Sequence, residues 1–162
     1  MLLDHVVTRI LESISLNNTD CDDFTLFCKY GSDGSSGHAM YKQVFESIGK
    51  SDIYVTVLVP LELICSNTGK IVWANDRHSS FLFTRPVRLQ IIREDANVIL
   101  AEYSYMQEKI SLLQNFYQDN QTFKYRLLFT MIDGKVYYIF YKSYKKIYGQ
   151  GKNTYESFRA KV

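Results

Sequence analysis

The chain has 162 residues, of which 46% are hydrophobic and 22% are charged. This length suits one domain that buries roughly 70% of the surface of its unfolded chain, and the composition excludes an intrinsically disordered protein. The net charge of +2 is unevenly distributed: residues 1–133 carry 12 Lys or Arg against 16 Asp or Glu, whereas residues 134–162 carry 7 against 1. The basic end is typical either of a contact with a polyanion such as nucleic acid or of a solvated lysine-rich tail.

The cysteine pattern and the N-terminal stretch bear on the compartment. Cys21, Cys28 and Cys65 are too few and too scattered to predict a disulfide framework, and no CxxC pair indicates a zinc site. The first ten residues interrupt their apolar side chains with Asp4 and Arg9, which predicts neither a signal peptide nor a membrane span. We therefore expect an intracellular protein in a reducing compartment, with no membrane partner.

The first half of the chain alternates helical and strand signals. Residues 2–15 space their apolar side chains as an amphipathic helix does. The run FTLFCKY predicts a short strand, followed by a Gly/Ser loop that carries Asp33 and by a short helix over HAMYKQVFESI. The run SDIYVTVLVPLELI is the strongest strand signal because β-branched residues dominate it. The turn SNTGK then leads into IVW, a strand predicted to pair with the preceding one.

The second half predicts a strand, a long helix and another strand. RPVRLQIIRE alternates apolar Val87, Leu89 and Ile91 with Arg88 and Gln90, which predicts a strand with one apolar face and one polar, basic face. Apolar residues recur at helical spacing over residues 94–118, and QDNQT ends that helix. The run FKYRLLFTMI is again a strand, and the signal weakens after it.

This order of elements predicts an α/β fold with a mixed sheet and a right-handed crossover. The first strand and the strand after the long helix then lie side by side and parallel, so that Asp33 and Asp133 meet at one edge of the sheet. Two carboxylates at adjacent strand ends are the minimum for holding Mg²⁺ or Mn²⁺. Two such ions about 4 Å apart support cleavage of a phosphodiester.

Four blocks of the chain carry a family resemblance: YGSDGSSGHAMYKQ, VTVLVPLEL, GKIVWANDRHSSFLFTRPVRLQIIRE and FKYRLLFTMIDGKV. In this order they resemble the Transib-type transposases and the V(D)J recombinase catalytic subunit, recombination-activating protein one. The resemblance covers roughly residues 20–136. It implies an RNase H-like catalytic core with a DDE triad that binds two divalent ions, a DNA partner and a nuclear location. Asp33 matches the first metal-binding and catalytic aspartate of that triad, and Asp133 matches the second.

The resemblance is partial. The family's third carboxylate lies far downstream, beyond a region with zinc-binding cysteines, whereas this chain has no cysteine after Cys65 and only one acid after Asp133, namely Glu156. The segment around Glu156 does not resemble the family. We therefore expect an amphipathic helix over residues 1–19, a partial RNase H-like core over residues 20–136 and a basic aromatic segment over residues 137–162.

Two functions follow as hypotheses. The first is a partial DDE transposase or recombinase domain, ancestrally active in Mg²⁺-dependent DNA strand cleavage and transfer, with Asp33 and Asp133 as metal ligands and little activity alone. The second is a non-catalytic, domesticated transposon remnant that binds nucleic acid or protein. Neither hypothesis calls for a small-molecule cofactor.

Overall fold

The structure of the chain is a computed structural model, and it describes residues 1–14, 21–35 and 53–131. In chain order its elements are α1 (Leu2–Ser13), β1 (Asp23–Ser35), β2 (Ile53–Cys65), β3 (Ile71–Ala74), a 3-10 turn (Phe81–Phe83), β4 (Arg85–Ile91), α2 (Ala96–Ser111), β5 (Phe116–Gln118) and β6 (Gln121–Met131). These ranges form a mixed α/β architecture, as predicted. Neither of their two α-helices combines the length and the hydropathy that crossing a bilayer requires.

The six strands of the described ranges belong to one mixed sheet. Its order is β3-β2-β1-β6-β5, and β4 also pairs with β2. The β2–β3 pair is antiparallel with Leu63 opposite Trp73, which confirms the predicted pairing of IVW with the preceding strand. The β5–β6 pair is also antiparallel, with Tyr117 opposite Thr122.

The strand β1 lies between β2 and β6, and it runs antiparallel to β2. Near its start, the carbonyl of Asp23 accepts a hydrogen bond of 2.8 Å from the amide of Ser66, just beyond the end of β2. Near its end, the Ser32 hydroxyl lies 2.9 Å from that of Thr56, near the start of β2. These contacts advance along β1 while they retreat along β2, so the two strands have opposite directions.

The strand β6 is the other neighbour of β1, and the two strands begin side by side. The amide of Thr122 donates a 2.7 Å hydrogen bond to the carbonyl of Asp22, immediately before β1. Beside this bond, the rings of Phe24 and Phe123 stack with their centroids 5.2 Å apart. Because β1 and β6 leave this common start as sheet neighbours, they run parallel, as the order of the sequence elements predicts.

The described residues divide into two compact units, each drawn from three segments. The first unit consists of Met1–Tyr30, Leu58–Arg85 and Lys109–Leu128. Helix α1 belongs to this unit, and its buried side chains are those of the predicted apolar stripe: Leu3, Val6, Val7 and Ile10. The helix also contacts β6, because the Tyr125 hydroxyl donates a 2.6 Å hydrogen bond to the carboxylate of Asp4.

The second unit is drawn from Gly31–Val57, Pro86–Glu108 and Phe129–Val162, so far as these are described. Its apolar core pairs Tyr54 of β2 with Ile99 of α2, and Phe129 of β6 packs against them. The ring of Tyr103 on α2 lies 5.1 Å from that of Phe129. The unit therefore packs one face of α2 against the sheet.

The predicted end of the long helix was wrong. Helix α2 ends at Ser111 rather than continuing to Gln118, because Phe116 belongs to β5, where its ring packs 6.0 Å from that of Phe123. The residues expected to end the helix instead form the β5–β6 hairpin turn. Its central residues Asp119 and Asn120 have φ of 50° and 63°. Such positive values are what a two-residue hairpin turn of this kind requires.

The strand β1 is longer than predicted. It continues through the glycines to Ser35, so Asp33 lies in the strand and not in a loop. The short helix expected over HAMYKQVFESI lies outside the described residues, as do Asp133 and Glu156.

The cysteine interpretation needs correction as well. Cys21 and Cys65 form a disulfide with their Cα atoms 6.1 Å apart, and the bond joins the start of β1 to the end of β2. These residues are 44 positions apart in sequence, and the antiparallel pairing of the two strands brings them together. Cys28 is a free, buried thiol.

Candidate functional site

Asp33 lies close to the end of β1, where only Gly34 and Ser35 follow it, and its side chain is exposed. An exposed carboxylate near the end of a strand is accessible to a ligand in solvent. The predicted second aspartate, Asp133, comes two residues after Met131, the last residue of β6. Since Asp133 lies outside the described residues, the proximity of the two carboxylates stays a prediction.

A second acid next to Asp33 was not predicted from the sequence. Glu94, between β4 and α2, packs against the backbone of Gly34, so closely that a Cβ at position 34 would come within 2.7 Å of the Glu94 Cβ. Only glycine permits this approach. The signal available in the sequence is an acid directly after a strand, but the helical spacing assigns Glu94 to the start of the long helix.

A third acid is buried within α2. Glu102 is only 3% exposed, and its carboxylate accepts three hydrogen bonds: 2.6 Å from the Thr56 hydroxyl, and 2.8 Å each from Arg88 and Gln90. These partners come from β2 and β4, so the carboxylate joins both strands to the helix. The predicted helical stripe gave no indication of a charged residue at this core position.

The phenol of Tyr54 lies within electrostatic reach of all three acids. Burial raises the pKa of the Tyr54 hydroxyl, a hydrogen bond with Ser32 lowers it in part, and the charges of Glu102, Glu94 and Asp33 raise it further. The net pKa is raised, so Tyr54 keeps its proton at neutral pH. The charges of three carboxylates in the second unit therefore act on one neutral hydroxyl.

The strand β4 presents its faces in an unexpected way. The predicted alternation is present, but the polar side chains of Arg88 and Gln90 face Glu102, whereas Val87, Leu89 and Ile91 are 39%, 63% and 77% exposed. The buried carboxylate explains this orientation, because it requires hydrogen-bond donors rather than apolar side chains.

Two basic residues of β4 are Arg88 and Arg85. The Arg88 guanidinium is committed to Glu102 and lies 4.3 Å from the centre of the Tyr105 ring. Arg85 donates a 2.8 Å hydrogen bond to the carbonyl of Leu82. Both guanidinium groups thus have protein partners, which favours a structural role over binding a phosphate backbone.

The donor chemistry of the site suits a hard cation. Asp33 and Glu94 offer carboxylate oxygens, which Mg²⁺ and Mn²⁺ prefer. Because Gly34 has no Cβ, Glu94 packs against the backbone directly after Asp33. Among the described residues alone, no group of three acidic, histidine or cysteine side chains is close enough to hold a metal ion. Asp133, two residues after the end of β6, stays the predicted further ligand.

Comparisons with known proteins leave the family untested. No protein-family model matches the chain, and no curated protein matches it significantly. The resemblance to the Transib-type transposases therefore stays a prediction that rests on the quoted sequence blocks.

Proposed function

We propose that the chain is a partial, RNase H-like DDE transposase or recombinase domain whose ancestral chemistry is cleavage and transfer of DNA strands with Mg²⁺ or Mn²⁺. Asp33 and Asp133 are its metal ligands in this proposal, and Glu94 is a further acid within the same unit. A bound divalent ion supplies Lewis-acid stabilisation of the phosphate oxygens. The residues of this chain bind and orient that ion.

One observation carries the proposal: β1 and β6 are neighbours with a common start. Asp33 comes nine residues after Phe24, and Asp133 comes ten residues after Phe123, the ring stacked on Phe24. If the parallel pairing continues at the same rise per residue, the two aspartates reach nearly the same level at one edge of the sheet. Because side chains alternate between the two faces of a strand, offsets of nine and ten bring both carboxylates to one face only if one of the strands carries a bulge before its aspartate. With such a bulge, a pair of carboxylates remote in sequence would hold one cation.

Binding of the ion alone tests this proposal. Calorimetry with Mn²⁺ should give one or two sites on the full chain, and Asp33→Asn or Asp133→Asn should weaken the affinity at least tenfold. Asp76→Asn, an exposed aspartate in a turn of the first unit, is the matched control and should bind Mn²⁺ as the wild type does. Equal affinity in all four proteins would refute the assignment of the ligands.

Plasmid nicking tests the chemistry. We expect little or no nicking in Mg²⁺ or Mn²⁺, because the sequence after Asp133 does not resemble the family's region of the third carboxylate and the developing charge would be poorly held. Robust nicking by the wild type that disappears in Asp33→Ala would show a complete active site instead.

The second candidate is a non-catalytic remnant that binds nucleic acid, and the charge of residues 134–162 favours it, with 7 Lys or Arg against 1 acid. A gel shift would compare the full chain with a chain ending at Lys135. Each phosphate contact by Lys or Arg releases counterions and so adds to the salt dependence of binding. If residues 136–162 contact DNA, their removal should lower both the affinity and its salt dependence. Unchanged affinity and salt dependence would remove this candidate.

A further inference from the structure

Glu102 occupies a position where an apolar residue would be expected. It lies three residues after Ile99 and four before Met106, which are 2% and 4% exposed. That spacing places Glu102 on the face of α2 that packs on the sheet. A buried charge is costly unless it is paired and hydrogen-bonded. Replacement of such an ion pair by apolar residues is often neutral or favourable for folding, so stability alone does not account for Glu102.

The three partners of Glu102 differ in what they supply: Arg88 supplies a positive charge, Gln90 a further hydrogen bond, and Thr56 a hydrogen-bonded path to β1. Arg88 neutralises its charge, with 2.8 Å between the guanidinium nitrogen and the carboxylate oxygen. The path begins at Thr56, whose hydroxyl donates its single proton to Glu102 over 2.6 Å. Because it has no second proton, the Thr56 hydroxyl must accept the 2.9 Å hydrogen bond that it shares with Ser32.

This direction of the hydrogen bonds connects the buried acid to the end of β1. Ser32 directly precedes Asp33 in β1. The bonds thus run from β1 through β2 to α2, all within the second unit. A carboxylate at position 102 fixes the order of donors along Ser32 and Thr56, because it accepts and does not donate.

We propose that Glu102 is a positioning residue, which holds Ser32 through Thr56 and so fixes the end of β1 that presents Asp33 to a divalent cation. The part of this statement that concerns the cation rests on the proposed function. The pairing with Arg88 keeps the charge of Glu102 neutralised, so that Asp33 and Glu94 supply the negative charge for the ion. Glu102 itself is not a ligand.

Four variants of the full chain separate positioning from stability. Thr56→Val keeps the shape and removes the hydroxyl, Thr56→Ser keeps the hydroxyl, and Glu102→Leu removes the acceptor. Glu108→Gln, an exposed position on the same helix, is the matched control. The measurements are amide hydrogen exchange along β1, thermal unfolding, and Mn²⁺ affinity by calorimetry.

We expect Thr56→Val and Glu102→Leu to speed exchange at residues 32–34 at least tenfold, and to leave exchange at residues 24–26 within threefold of the wild type. Both should weaken Mn²⁺ binding about tenfold, whereas Thr56→Ser and Glu108→Gln should match the wild type in every measurement. If exchange at residues 32–34 increases in these variants but the wild type binds no Mn²⁺, the positioning role of Glu102 stands and the proposed function fails.

Two results would overturn the positioning role. One is unchanged exchange at residues 32–34 in both Thr56→Val and Glu102→Leu. The other is an exchange rate that increases equally along the whole of β1, in proportion to the stability that each variant loses, with Thr56→Ser following the same proportion. If Glu102→Leu does not fold, Thr56→Val and Thr56→Ser decide the question by themselves.

Discussion

Arg88 of β4 donates a 2.8 Å hydrogen bond to Glu102 of α2, and the two side chains differ greatly in exposure, at 39% and 3%. Removing one partner of such a pair leaves the other charge buried and unpaired. We expect Arg88→Leu to lower the free energy of unfolding by about 3 kcal/mol. The double variant Arg88→Leu/Glu102→Leu should recover most of this loss, because no charge then remains buried.

Chemical denaturation of the three proteins measures these differences. Arg9→Leu provides the control, since Arg9 and Glu12 form an ion pair whose side chains are 69% and 55% exposed. An exposed pair of this kind contributes roughly 0.5 kcal/mol to stability. A double variant that is less stable than Arg88→Leu would show that the Glu102 charge does not depend on Arg88.

The disulfide between Cys21 and Cys65 should contribute substantially to stability. The two residues are 44 positions apart. Closing a loop of that length in the unfolded chain corresponds to about 4 kcal/mol in the chain-entropy treatment. We expect Cys21→Ser/Cys65→Ser, or reduction of the wild type, to lower the melting temperature by roughly 10 °C. Thermal unfolding with and without reductant checks this, and the double variant should be insensitive to reductant.

Thiol alkylation provides an independent measure of the same bond. Burial raises the pKa of Cys28 to about 12. This thiol therefore remains protonated and unreactive at pH 8 in the folded protein. Intact-mass analysis with iodoacetamide should show no label on the native chain, one label after denaturation and three after denaturation with reduction. Three labels without reductant would mean that Cys21 and Cys65 are not bonded.

The same alkylation in cells bears on the compartment. Disulfides persist in oxidising compartments and are rare in the cytosol and nucleus. A nuclear location is only a prediction from the resemblance to the transposases. Rapid thiol trapping in cells should therefore find Cys21 and Cys65 reduced if the nuclear prediction is right. Fully oxidised Cys21 and Cys65 in cells would argue against it.

Acid should weaken the contact between α1 and β6. Burial favours a higher pKa for Asp4, but hydrogen bonds from the N-terminal ammonium and the Tyr125 hydroxyl outweigh it, and the pKa is lowered from 3.8. A lowered pKa in the folded state adds stability that is present above the unfolded-state pKa and is lost as the pH falls through the folded-state pKa.

The variant Tyr125→Phe isolates this hydrogen bond. It should cost about 1.5 kcal/mol at pH 7, and the difference from the wild type should shrink below pH 4, as Asp4 takes up a proton. Denaturant titrations at pH 7 and pH 3 measure both values. A cost that is equal at the two pH values would mean that the Asp4 charge is not involved.

Gly34 should not tolerate a side chain. The Cβ of Gly34→Ala would displace Glu94, which we expect to lower Mn²⁺ affinity at least tenfold. Gly69→Ala is the contrasting control, because its Cβ meets open space but its φ is +70°. Strain at that position should cost about 1 kcal/mol of stability without changing Mn²⁺ affinity. Equal Mn²⁺ affinity in the two glycine variants would show that Glu94 does not contribute to cation binding.

The sequence predicted those features that depend on local periodicity. The apolar stripe of α1 and the β-branched run of β2 appear as expected, and the order of elements correctly predicted that β1 and β6 are neighbours. Local patterns could not show where α2 ends, because Phe116 continues its helical spacing while its ring packs against a residue of β6.

The site was harder to predict for the same physical reason. Asp33 stands out among glycines and serines, whereas Glu94 and Glu102 resemble ordinary surface acids of a helix. Only tertiary packing shows that one adjoins Gly34 and that the other is buried against donors from two strands.

Shared coordination of one divalent ion by Asp33 and Asp133 is the basis of the proposed function. Anomalous diffraction from crystals of the full chain grown with Mn²⁺ locates such an ion without relying on activity. We expect a manganese peak within about 2.5 Å of a carboxylate oxygen from each aspartate. If the two carboxylates instead lie on different edges of the sheet, or if the bound ion touches neither, the metal-site assignment is wrong.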